Sequence, residues 1–377
     1  MSYKDWFIQL YFNKLRLAPL FGAMADMQEN SPWHREDSVL VHTDMVIAQY
    51  LSNNNDDSTR AWLYGALTCA FHDVGKPSSV EYKHSEERGD YKSFGGHELV
   101  SARLWEDFAT SNWFLFSSVL KVSDIGTVAW LIENHLPYKL KKDYKVNNMY
   151  AHNILATERA LPRVLRADCW GRISDDHDKK KDDVEQWIFN FTNNNFEANM
   201  LTGALAQGLT VVSTKKPVLY MLIGASGSGK STYTKELVDS YAAMDEFIFT
   251  YSLDQLRLNW YGDVYGKAWN ASCEDKEFVA KTHKHFMQMI GNGHHMIVDN
   301  TNTSTKRRKF YLDNAKAKGY KTIAVTFPIS ISMLLERSKT RLDKQVPENG
   351  IRQQYMLLQQ PMFGEFDEIV VCDKNLK

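Results

Sequence analysis

The chain contains the segment GASGSGKST at residues 224–232, between an apolar run and a stretch with helical spacing. It matches the pattern GxxxxGK[ST], in which glycines let backbone N–H groups wrap phosphates, a lysine neutralises them and a hydroxyl binds Mg²⁺. The pattern residues are Gly224, Gly229, Lys230 and Ser231, and the further candidates for the same ligand are Ser226, Gly227, Ser228 and Thr232. The segment predicts a strand, a loop and a helix around a bound nucleotide. The alternative is a glycine-rich turn that binds none.

Short apolar runs rich in β-branched residues recur through the second half of the chain. They are PVLYMLIG, EFIFTYS, HHMIVDN, KTIAVTF and DEIVVCD, and helical stretches separate them. Such alternation is typical of a parallel sheet with helices on both faces. The second half is therefore predicted to be an α/β domain built around the phosphate loop.

The first half is predicted to be all-α. The segment TRAWLYGALTCAFHD carries Trp62, Leu63 and Leu67 at helical intervals, and GKP ends it. The segment IGTVAWLIENHLPY is similar and ends at a proline, whereas LPRVLRADCWGRI is predicted to begin at Pro162. The charged run at residues 174–183 is interpreted as a solvated helix face or loop. The polar stretch FTNNNFEAN after it is interpreted as turn-prone.

Length and composition indicate a two-domain globular protein. The 377 residues exceed one typical domain, and a polar stretch near residues 210–216 predicts domains at 1–212 and 213–377. A net charge of −1 excludes a strongly basic coat protein for nucleic acid. The four cysteines form no CxxC pair, the N-terminus does not resemble a signal peptide, and there is no apolar run of about 18 residues. These features predict a cytosolic protein with reduced thiols and no membrane association.

Six residues of the first half have the side chains and positions of metal ligands. They are His42, His72, Asp73, His97, His135 and Asp168. They lie on predicted helices or at helix ends, so several can project into one bundle core, where imidazole and carboxylate groups bind transition metals. For any single histidine the alternative is a hydrogen-bonded core residue. The second His-Asp pair, His177-Asp178, lies in the charged run and is interpreted as surface.

Two polar segments of the second half offer candidates for chemistry beside the phosphate loop. In YSLDQLR, Asp254 precedes Arg257 by three residues. The aspartate could accept a proton from an attacking hydroxyl, and the arginine could bind a phosphate as a fork. A helix N-cap and a surface arginine are the alternatives. The basic segment at residues 336–354 could fold over the nucleotide as a lid, or it is a solvated face.

Taken in order, GxxxxGKST, DQLR, DNTN and RSKTR…K.VP resemble the polynucleotide 5′-kinase family over most of residues 216–360. The resemblance implies a P-loop kinase domain in which Lys230 and Ser231 bind ATP and Mg²⁺. It also implies that Asp254 is the general base and that Arg257 binds the phosphate on the 3′ side of the acceptor.

The same resemblance assigns Arg341 to the ATP phosphates and places Asn300, Thr301 and Asn302 near the acceptor. Several family members have an acidic residue where Asn300 stands. Asp299, one position earlier, is the expected substitute.

The order H…HD…H…H…D, with HDVGKP followed by FGGHE, resembles the HD phosphohydrolase superfamily. The resemblance implies a helical HD-type domain with a divalent transition metal such as Mn, Co, Ni or Zn. It assigns a first metal to His42, His72, Asp73 and Asp168, and a second to His97 and His135 with Asp73 bridging. It also implies that Lys76 contacts a substrate phosphate.

An HD domain ahead of such a kinase resembles the bifunctional HD-domain polynucleotide kinases, which heal nucleic-acid ends. The resemblance implies that the first half removes 2′,3′-cyclic, 2′- or 3′-phosphates and that the second half phosphorylates 5′-hydroxyl ends from ATP. RNA or DNA strand ends and a nucleic-acid ligase are the expected partners. One alternative is a small-molecule or nucleoside kinase fused to a nucleotide-cleaving HD hydrolase. The other is an HD half that only binds a ligand and regulates the kinase.

Overall fold

The computed structural model describes residues 1–29, 34–54, 57–86, 89–136, 154–174, 177–205, 216–341, 344, 346–362 and 364–376. The chain divides into two compact units, Met1–Leu209 and Thr210–Lys377. The predicted boundary between residues 212 and 213 lies outside the described residues.

The N-terminal unit is mostly helical. Its helices are α1 (Tyr3–Leu10), α2 (Pro19–Asp26), α3 (Val39–Asn53), α4 (Arg60–Phe71), α5 (His97–Ser111), α6 (Trp113–Phe116), α7 (Val122–Glu133), α8 (Ile154–Trp170) and α9 (His177–Leu205). A π-helical turn, Tyr11–Leu15, continues α1, and a 3₁₀ turn, Lys76–Ser78, follows α4. The predicted helices in the segments of α4 and α7 are confirmed.

Helix α4 forms the centre of this unit. The side chain of Thr59 caps its first turn by accepting a hydrogen bond from the Trp62 N–H. Every residue from Ala61 to Phe71 is buried, which is the pattern of a helix enclosed by others. It packs against α3, α7 and α8, so the residues that follow its last turn are delivered to the interior of the unit.

The prediction of an all-α first half missed a hairpin. Strands β1 (Glu81–Ser85) and β2 (Gly89–Ser93) pair antiparallel between α4 and α5. Neither strand contains a buried residue, so the sequence lacks the alternation of apolar and polar residues that identifies a half-buried strand.

Two other predictions in this half were wrong. Pro162 does not begin a helix but lies inside α8. A proline within a helix removes one backbone hydrogen bond, and burial of Leu161 and Leu165 on both sides of it offsets that loss. The turn-prone segment FTNNNFEAN is also helical, because α9 continues to Leu205. Its first half is anchored by buried Val184, Ile188 and Phe191, and helix propagation past such an anchor is easier than nucleation.

The C-terminal unit alternates strands and helices. Its strands are β3 (Val218–Ile223), β4 (Ile248–Tyr251), β5 (His295–Val298), β6 (Lys321–Thr326) and β7 (Glu368–Val371). Its helices are α10 (Lys230–Ala243), α11 (Leu253–Tyr261), α12 (Tyr265–Glu274), α13 (Phe278–Ile290), α14 (Thr305–Ala317), α15 (Ile331–Thr340) and α16 (Glu348–Met356). All five predicted strands are confirmed.

The five strands form one parallel sheet in the order β4-β5-β3-β6-β7. Alternate residues of β3 enter different cores, with Leu219 and Met221 on one face and Leu222 on the other. Helices α13 and α14 cover the first face and α10 the second, as predicted. Because the strands are parallel, the loops after β3, β4 and β5 meet at one edge of the sheet.

Within the described part of the chain, none of the helices combines the length and the apolar character needed to cross a membrane.

Packing around α4 leads to a first prediction. A Cβ added at Gly65 would lie 2.2 Å from the Tyr50 hydroxyl, which donates a hydrogen bond to the Trp62 carbonyl. Gly65→Ala should therefore lower the free energy of unfolding by about 1–3 kcal/mol, the usual cost of overpacking. Gly22→Ala is the matched control, because a Cβ at this helical position meets nothing within 4 Å. It should be neutral or stabilising by up to about 1 kcal/mol. Urea unfolding of both variants measures the difference, and equal midpoints would contradict the packing described here.

Candidate functional sites

The six predicted metal ligands lie together inside the N-terminal unit. His42 is in α3, His72 and Asp73 follow α4, His97 begins α5, His135 follows α7 and Asp168 is in α8. All six side chains are buried. The packing of these helices thus collects side chains that are up to 126 residues apart in the sequence.

Asp73 is at the centre of this cluster. Its Oδ2 lies 3.1 Å from His72 Nε2 and 3.6 Å from His42 Nε2. Its Oδ1 lies 3.1 Å from His97 Nε2 and 3.8 Å from His135 Nε2. The two oxygens of one carboxylate therefore face two different pairs of histidines.

Asp168 completes the first of the two groups. Its Oδ1 lies 3.2 Å from His42 Nε2, which is in turn 3.4 Å from His72 Nε2. Two sets of three ligand atoms each fall within 4.8 Å of one another: His42 with His72 and Asp168, and Asp73 with His97 and His135. The predicted assignment had Asp73 in both groups, and the binding of two metals here stays a prediction.

The donor atoms of the cluster fit a divalent transition metal. Among the described residues, Asp168 Oδ2 is buried without a hydrogen-bond partner, and Asp73 Oδ1 and His97 Nε2 face each other at 3.1 Å outside hydrogen-bond geometry. Such atoms cost free energy unless a ligand satisfies them. Imidazole nitrogens mixed with carboxylate oxygens are the donors that these metals prefer.

The electrostatics of the cluster keep both aspartates ionised. Burial alone would raise the pKa of Asp73, but His72 and Lys76 hold it well below its ordinary value. Burial would also raise the pKa of Asp168, and Arg172, whose Nη2 is 2.7 Å from Asp168 Oδ1, lowers it. Burial lowers the pKa of His135, so this imidazole is neutral. Ionised carboxylate and neutral imidazole are the forms that bind metals.

Lys76 lies within the cluster and is 4% exposed. Its Nζ is 2.8 Å from Asp73 Oδ2 and 2.6 Å from Glu29 Oε1. To make the predicted contact with a substrate phosphate, Lys76 would have to use an ammonium group that already neutralises two carboxylates.

Sequence reasoning missed Glu29 and Glu36, whose buried carboxylates lie 3.7 and 3.5 Å from His34 Nδ1. They precede α3 in a segment with no motif, so no signal in the sequence indicated them.

In the C-terminal unit the phosphate loop connects β3 to α10. Gly227 and Gly229 have φ angles of 89° and 100°, in the left-handed region that favours glycine. Lys230 Nζ donates hydrogen bonds to the carbonyls of Gly224 and Ala225, at 2.9 and 2.7 Å. Burial lowers the pKa of Lys230 to about 8. A bound phosphate would favour the charged form again.

Three side chains that sequence reasoning missed support this loop from outside. Gln354 of α16 accepts a hydrogen bond from the Ser226 N–H at 2.8 Å. Arg337 of α15 donates to the Gly227 carbonyl at 3.2 Å, and Asn375 donates to the Ser228 carbonyl at 3.1 Å. Arg337 also donates to Asn375 at 2.9 Å. These residues are more than 100 positions from the loop, beyond the reach of a local motif.

Asp299 follows β5 and faces the start of α10. Its Oδ2 accepts hydrogen bonds from Ser231 Oγ at 3.4 Å and from Thr234 Oγ1 at 3.3 Å. An aspartate at the end of a neighbouring strand, beside the loop hydroxyl, has the arrangement that holds Mg²⁺ in P-loop enzymes. The predicted candidate Thr232 is exposed on the same turn.

Asp254 is in the first turn of α11. Ser252, not Asp254, caps this helix. Asp254 Oδ1 accepts hydrogen bonds from Arg257 at 2.9 Å and from the Tyr265 hydroxyl at 3.0 Å, and Oδ2 pairs with Lys344. Burial would raise the pKa of Asp254, but the Lys344 ammonium holds it below its ordinary value. The carboxylate is therefore ionised, and its charge acts on Lys230 of the phosphate loop.

Arg257 is fixed by its surroundings rather than exposed. Its Nε donates to Ser272 Oγ at 3.0 Å. The guanidinium carbon lies 4.2 Å from the ring centre of Trp269 and 5.0 Å from that of Phe278. The surface-arginine alternative is therefore wrong, because its side chain is only 12% exposed.

The remaining candidates from the sequence are the acceptor-site residues after β5 and the arginine of the predicted lid, and they lie in different surroundings. Asn302 is buried with a φ of 47°, and its amide donates to the Leu222 carbonyl at 2.8 Å, so it joins strand ends. Asn300 accepts a hydrogen bond from the Leu253 N–H, and the Thr301 carbonyl accepts one from the Gly224 N–H. Arg341 follows α15, and its charge contributes to the lowered pKa of Lys230.

Comparisons with known proteins bear on the C-terminal unit. A family model described as "AAA domain" matches residues 219–361. A predicted bifunctional polynucleotide kinase/RNA ligase of Autographa californica nuclear polyhedrosis virus is 27% identical over 187 residues, which is 46% of this chain. This chain spans about a quarter, 26%, of the length of that relative.

Solved structures similar to the chain include two proteins of low identity. Kti12 of Chaetomium thermophilum in complex with ADP-AlF3 is 13% identical, with a TM-score of 0.32, over 41% of this chain and 88% of its own. A gluconokinase from Sinorhizobium meliloti 1021 is 17% identical, with a TM-score of 0.30, over 41% of this chain and 82% of its own. From the family match, the phosphate loop and the sheet, the C-terminal unit is a P-loop kinase-like α/β domain, a class that uses ATP and Mg²⁺.

The position of Asp299 leads to a prediction on nucleotide binding. Asp299→Asn removes the negative charge beside Ser231 and should weaken ATP binding about 10–100-fold in Mg²⁺, because a charged contact contributes about 1.5–3 kcal/mol. In EDTA the variant and the unaltered protein should bind ATP alike. Asp313→Asn is the control, since Asp313 is 59% exposed and pairs only with Lys309 in the described structure. Titration calorimetry measures both conditions, and an equal loss in EDTA would contradict the magnesium role.

Proposed function

We propose that the chain is a bifunctional enzyme that heals nucleic-acid ends. The C-terminal unit would transfer the γ-phosphate of ATP to a 5′-hydroxyl end, and the N-terminal unit would remove a 2′,3′-cyclic, 2′- or 3′-phosphate by metal-dependent hydrolysis. The observation that supports it best is the presence, in one chain, of a phosphate loop faced by an ionised aspartate and of a buried six-residue cluster around Asp73.

The two activities would complement each other chemically. RNA cut by many ribonucleases has a 2′,3′-cyclic phosphate on one side and a 5′-hydroxyl on the other. Ligation needs the opposite ends, a 3′-hydroxyl and a 5′-phosphate. A nucleic-acid ligase in the same compartment, which we take to be the cytosol, is therefore the expected consumer of the product.

In the kinase reaction, Asp254 would act as the general base. The acceptor 5′-hydroxyl gives its proton to Asp254 as its oxygen attacks the γ-phosphorus, and ADP leaves with the bridging oxygen. Lys230 and Arg341 offset the negative charge on the phosphates. Lys344 and Tyr265 contact the Asp254 carboxylate and keep it oriented and ionised before the acceptor binds.

Arg257 favours a strand end over a free nucleoside as acceptor. Its guanidinium is held by Ser272, Trp269 and Asp254, so its orientation is fixed before binding. A guanidinium fixed in this way is suited to bind a phosphate through two parallel hydrogen bonds. A strand offers such a phosphate on the 3′ side of its first nucleotide. A nucleoside lacks that phosphate.

In the hydrolase reaction, Asp73 would hold two cation positions with its separate oxygens. A divalent transition metal such as Mn, Co, Ni or Zn, when bound, supplies a water of lowered pKa and polarises a phosphoryl oxygen. His42, His72 and Asp168 would hold the first position, and His97 and His135 the second. Lys76 keeps Asp73 ionised by direct contact.

The experiment that tests the proposal uses an RNA with a 5′-hydroxyl and a 2′,3′-cyclic phosphate. Both ends are followed with ATP and with a panel of divalent metals. Phosphorylation of free nucleosides in preference to RNA would favour a small-molecule kinase. Tight metal binding with no phosphate release from any 3′ end would favour a regulatory N-terminal unit.

Mutations in the two centres should separate the activities. Lys230→Ala removes the charge that faces the ATP phosphates, so 5′ phosphorylation should fall to background while 3′ phosphate release stays near that of the unaltered protein. Asp73→Ala should do the reverse and lower the content of bound metal, because no neighbouring side chain replaces a bridging carboxylate. Each variant is the control for the other in end-labelled RNA assays. Loss of both activities in a folded single variant would contradict two independent sites.

The role of Asp254 is tested separately. Asp254→Asn keeps size and polarity but cannot accept the hydroxyl proton, so the rate of transfer at saturation should fall about 10²–10⁴-fold, the usual contribution of a general base. ATP affinity should hardly change. Arg257→Ala should instead raise the KM for RNA and flatten its dependence on salt, since it removes a phosphate contact. Steady-state kinetics distinguish the two variants. Weakened ATP binding with unchanged turnover in Asp254→Asn would contradict the assignment of Asp254 as the general base.

A further inference from the structure

Three of the four cluster histidines are oriented by the backbone in the same way. His72 Nδ1 lies 2.9 Å from the Cys69 carbonyl, His97 Nδ1 lies 2.7 Å from that of Phe94, and His135 Nδ1 lies 2.7 Å from that of Ile132. In each case the carbonyl belongs to the residue three positions earlier. A carbonyl only accepts, so Nδ1 carries a proton and Nε2 is the nitrogen that faces Asp73 and is left for a metal.

His42 cannot use this arrangement. The other three histidines lie at helix ends or just beyond them, but His42 is inside α3, where carbonyls accept hydrogen bonds from the helix itself. Its Nδ1 is buried and has no hydrogen bond within the described part of the chain. The acceptor that faces it is Glu36 Oε1, 3.4 Å away.

Glu36 is held firmly in this position. Its side chain is fully buried, and Oε1 also accepts a hydrogen bond from the Ile173 N–H at 2.7 Å. Ile173 lies three residues after α8, the helix that carries Asp168, while Glu36 lies just before α3, the helix that carries His42. One carboxylate therefore links the two chain segments whose ligands meet at the cluster.

We propose that Glu36 is the positioning residue of His42: its carboxylate takes the place of the backbone carbonyl and holds His42 Nε2 toward Asp73 and Asp168. The proposal rests on the metal binding proposed above for the cluster. Carboxylates that accept a proton from a metal-binding imidazole fix its tautomer and raise its basicity, and their loss costs about 10–100-fold in metal affinity.

A competing role for Glu36 is that of a direct ligand. Its carboxylate, His34 and His42 also offer atoms within 4.8 Å of one another. A further ion there would need the Nδ1 lone pair of His42 in addition to its Nε2 lone pair. A neutral imidazole has one lone pair, not two, so the geometry favours the positioning role. The number of ions bound at saturation separates the two roles.

The test uses Co²⁺ as the probe with the full-length protein and its Glu36→Gln variant. Glutamine keeps the oxygen that faces the Ile173 N–H and His42 Nδ1 but removes the negative charge that raises the basicity of the imidazole. Competition with a chelator should show Co²⁺ affinity reduced about 10–100-fold, with the number of ions at saturation unchanged. The visible absorption of bound Co²⁺ should shift, because the loss of the charge makes one ligand a weaker donor. A purely structural role would leave this spectrum unmoved.

Two further variants complete the design. Glu106→Gln removes a buried carboxylate that pairs with Arg103, away from the cluster, and should leave Co²⁺ affinity unchanged. Glu36→Asp keeps the charge but shortens the reach, so its affinity should lie between those of the unaltered protein and Glu36→Gln. Glu36→Asp also replaces Glu36→Gln in the Co²⁺ test if the glutamine variant does not fold.

The outcomes that overturn the proposal are distinct. Unchanged affinity and spectrum in Glu36→Gln would show that the Glu36 charge does not act on His42 and would overturn the proposal. One ion fewer at saturation would make it a ligand. Failure of the unaltered protein to bind Co²⁺ would instead overturn the proposed hydrolase site itself.

Discussion

The buried carboxylate of Asp73 is the constraint around which the N-terminal unit is built. An ionised group without partners in a protein interior costs several kcal/mol, so every element that ends near it must supply a compensating charge or imidazole. Lys76 comes from the turn after α4, and His97 and His135 come from the ends of α5 and α7. This requirement explains why α4 is enclosed on all sides: its last turn has to deliver Asp73 to the interior.

The C-terminal unit meets the opposite requirement, since it buries a cation beside a loop built to receive an anion. Lys230 is held by two backbone carbonyls of the loop, and burial costs it part of its affinity for a proton. Arg337 and Asn375 hold the loop carbonyls from the other side, so its backbone is already arranged before a phosphate arrives. Such preorganisation spares the ordering cost at the time of binding.

Each centre is built within one unit and rests on that unit's own core. The proposed chemistries can therefore be altered independently, although they would act on the two ends left by one cleavage. In both centres a lysine contributes to keeping an aspartate ionised: Lys76 acts together with His72 on Asp73, and Lys344 acts on Asp254. The pairing keeps each carboxylate in the form that its proposed task needs, a cation ligand in one case and a proton acceptor in the other.

The sequence by itself determined the order of strands and helices in the second half and which residues are candidates for chemistry, because both follow from local spacing. Motifs such as GxxxxGKST and HD constrain a few neighbouring residues, and apolar periodicity does the same for a strand. The sequence misjudged Pro162 and the asparagine-rich part of α9, where packing and helix propagation outweighed local preference. Only the tertiary structure decided the strand order, the division of the four histidines between the two oxygens of Asp73, and the positions of Glu36 and Asn375. These depend on contacts between residues as much as 147 positions apart, which no local pattern encodes.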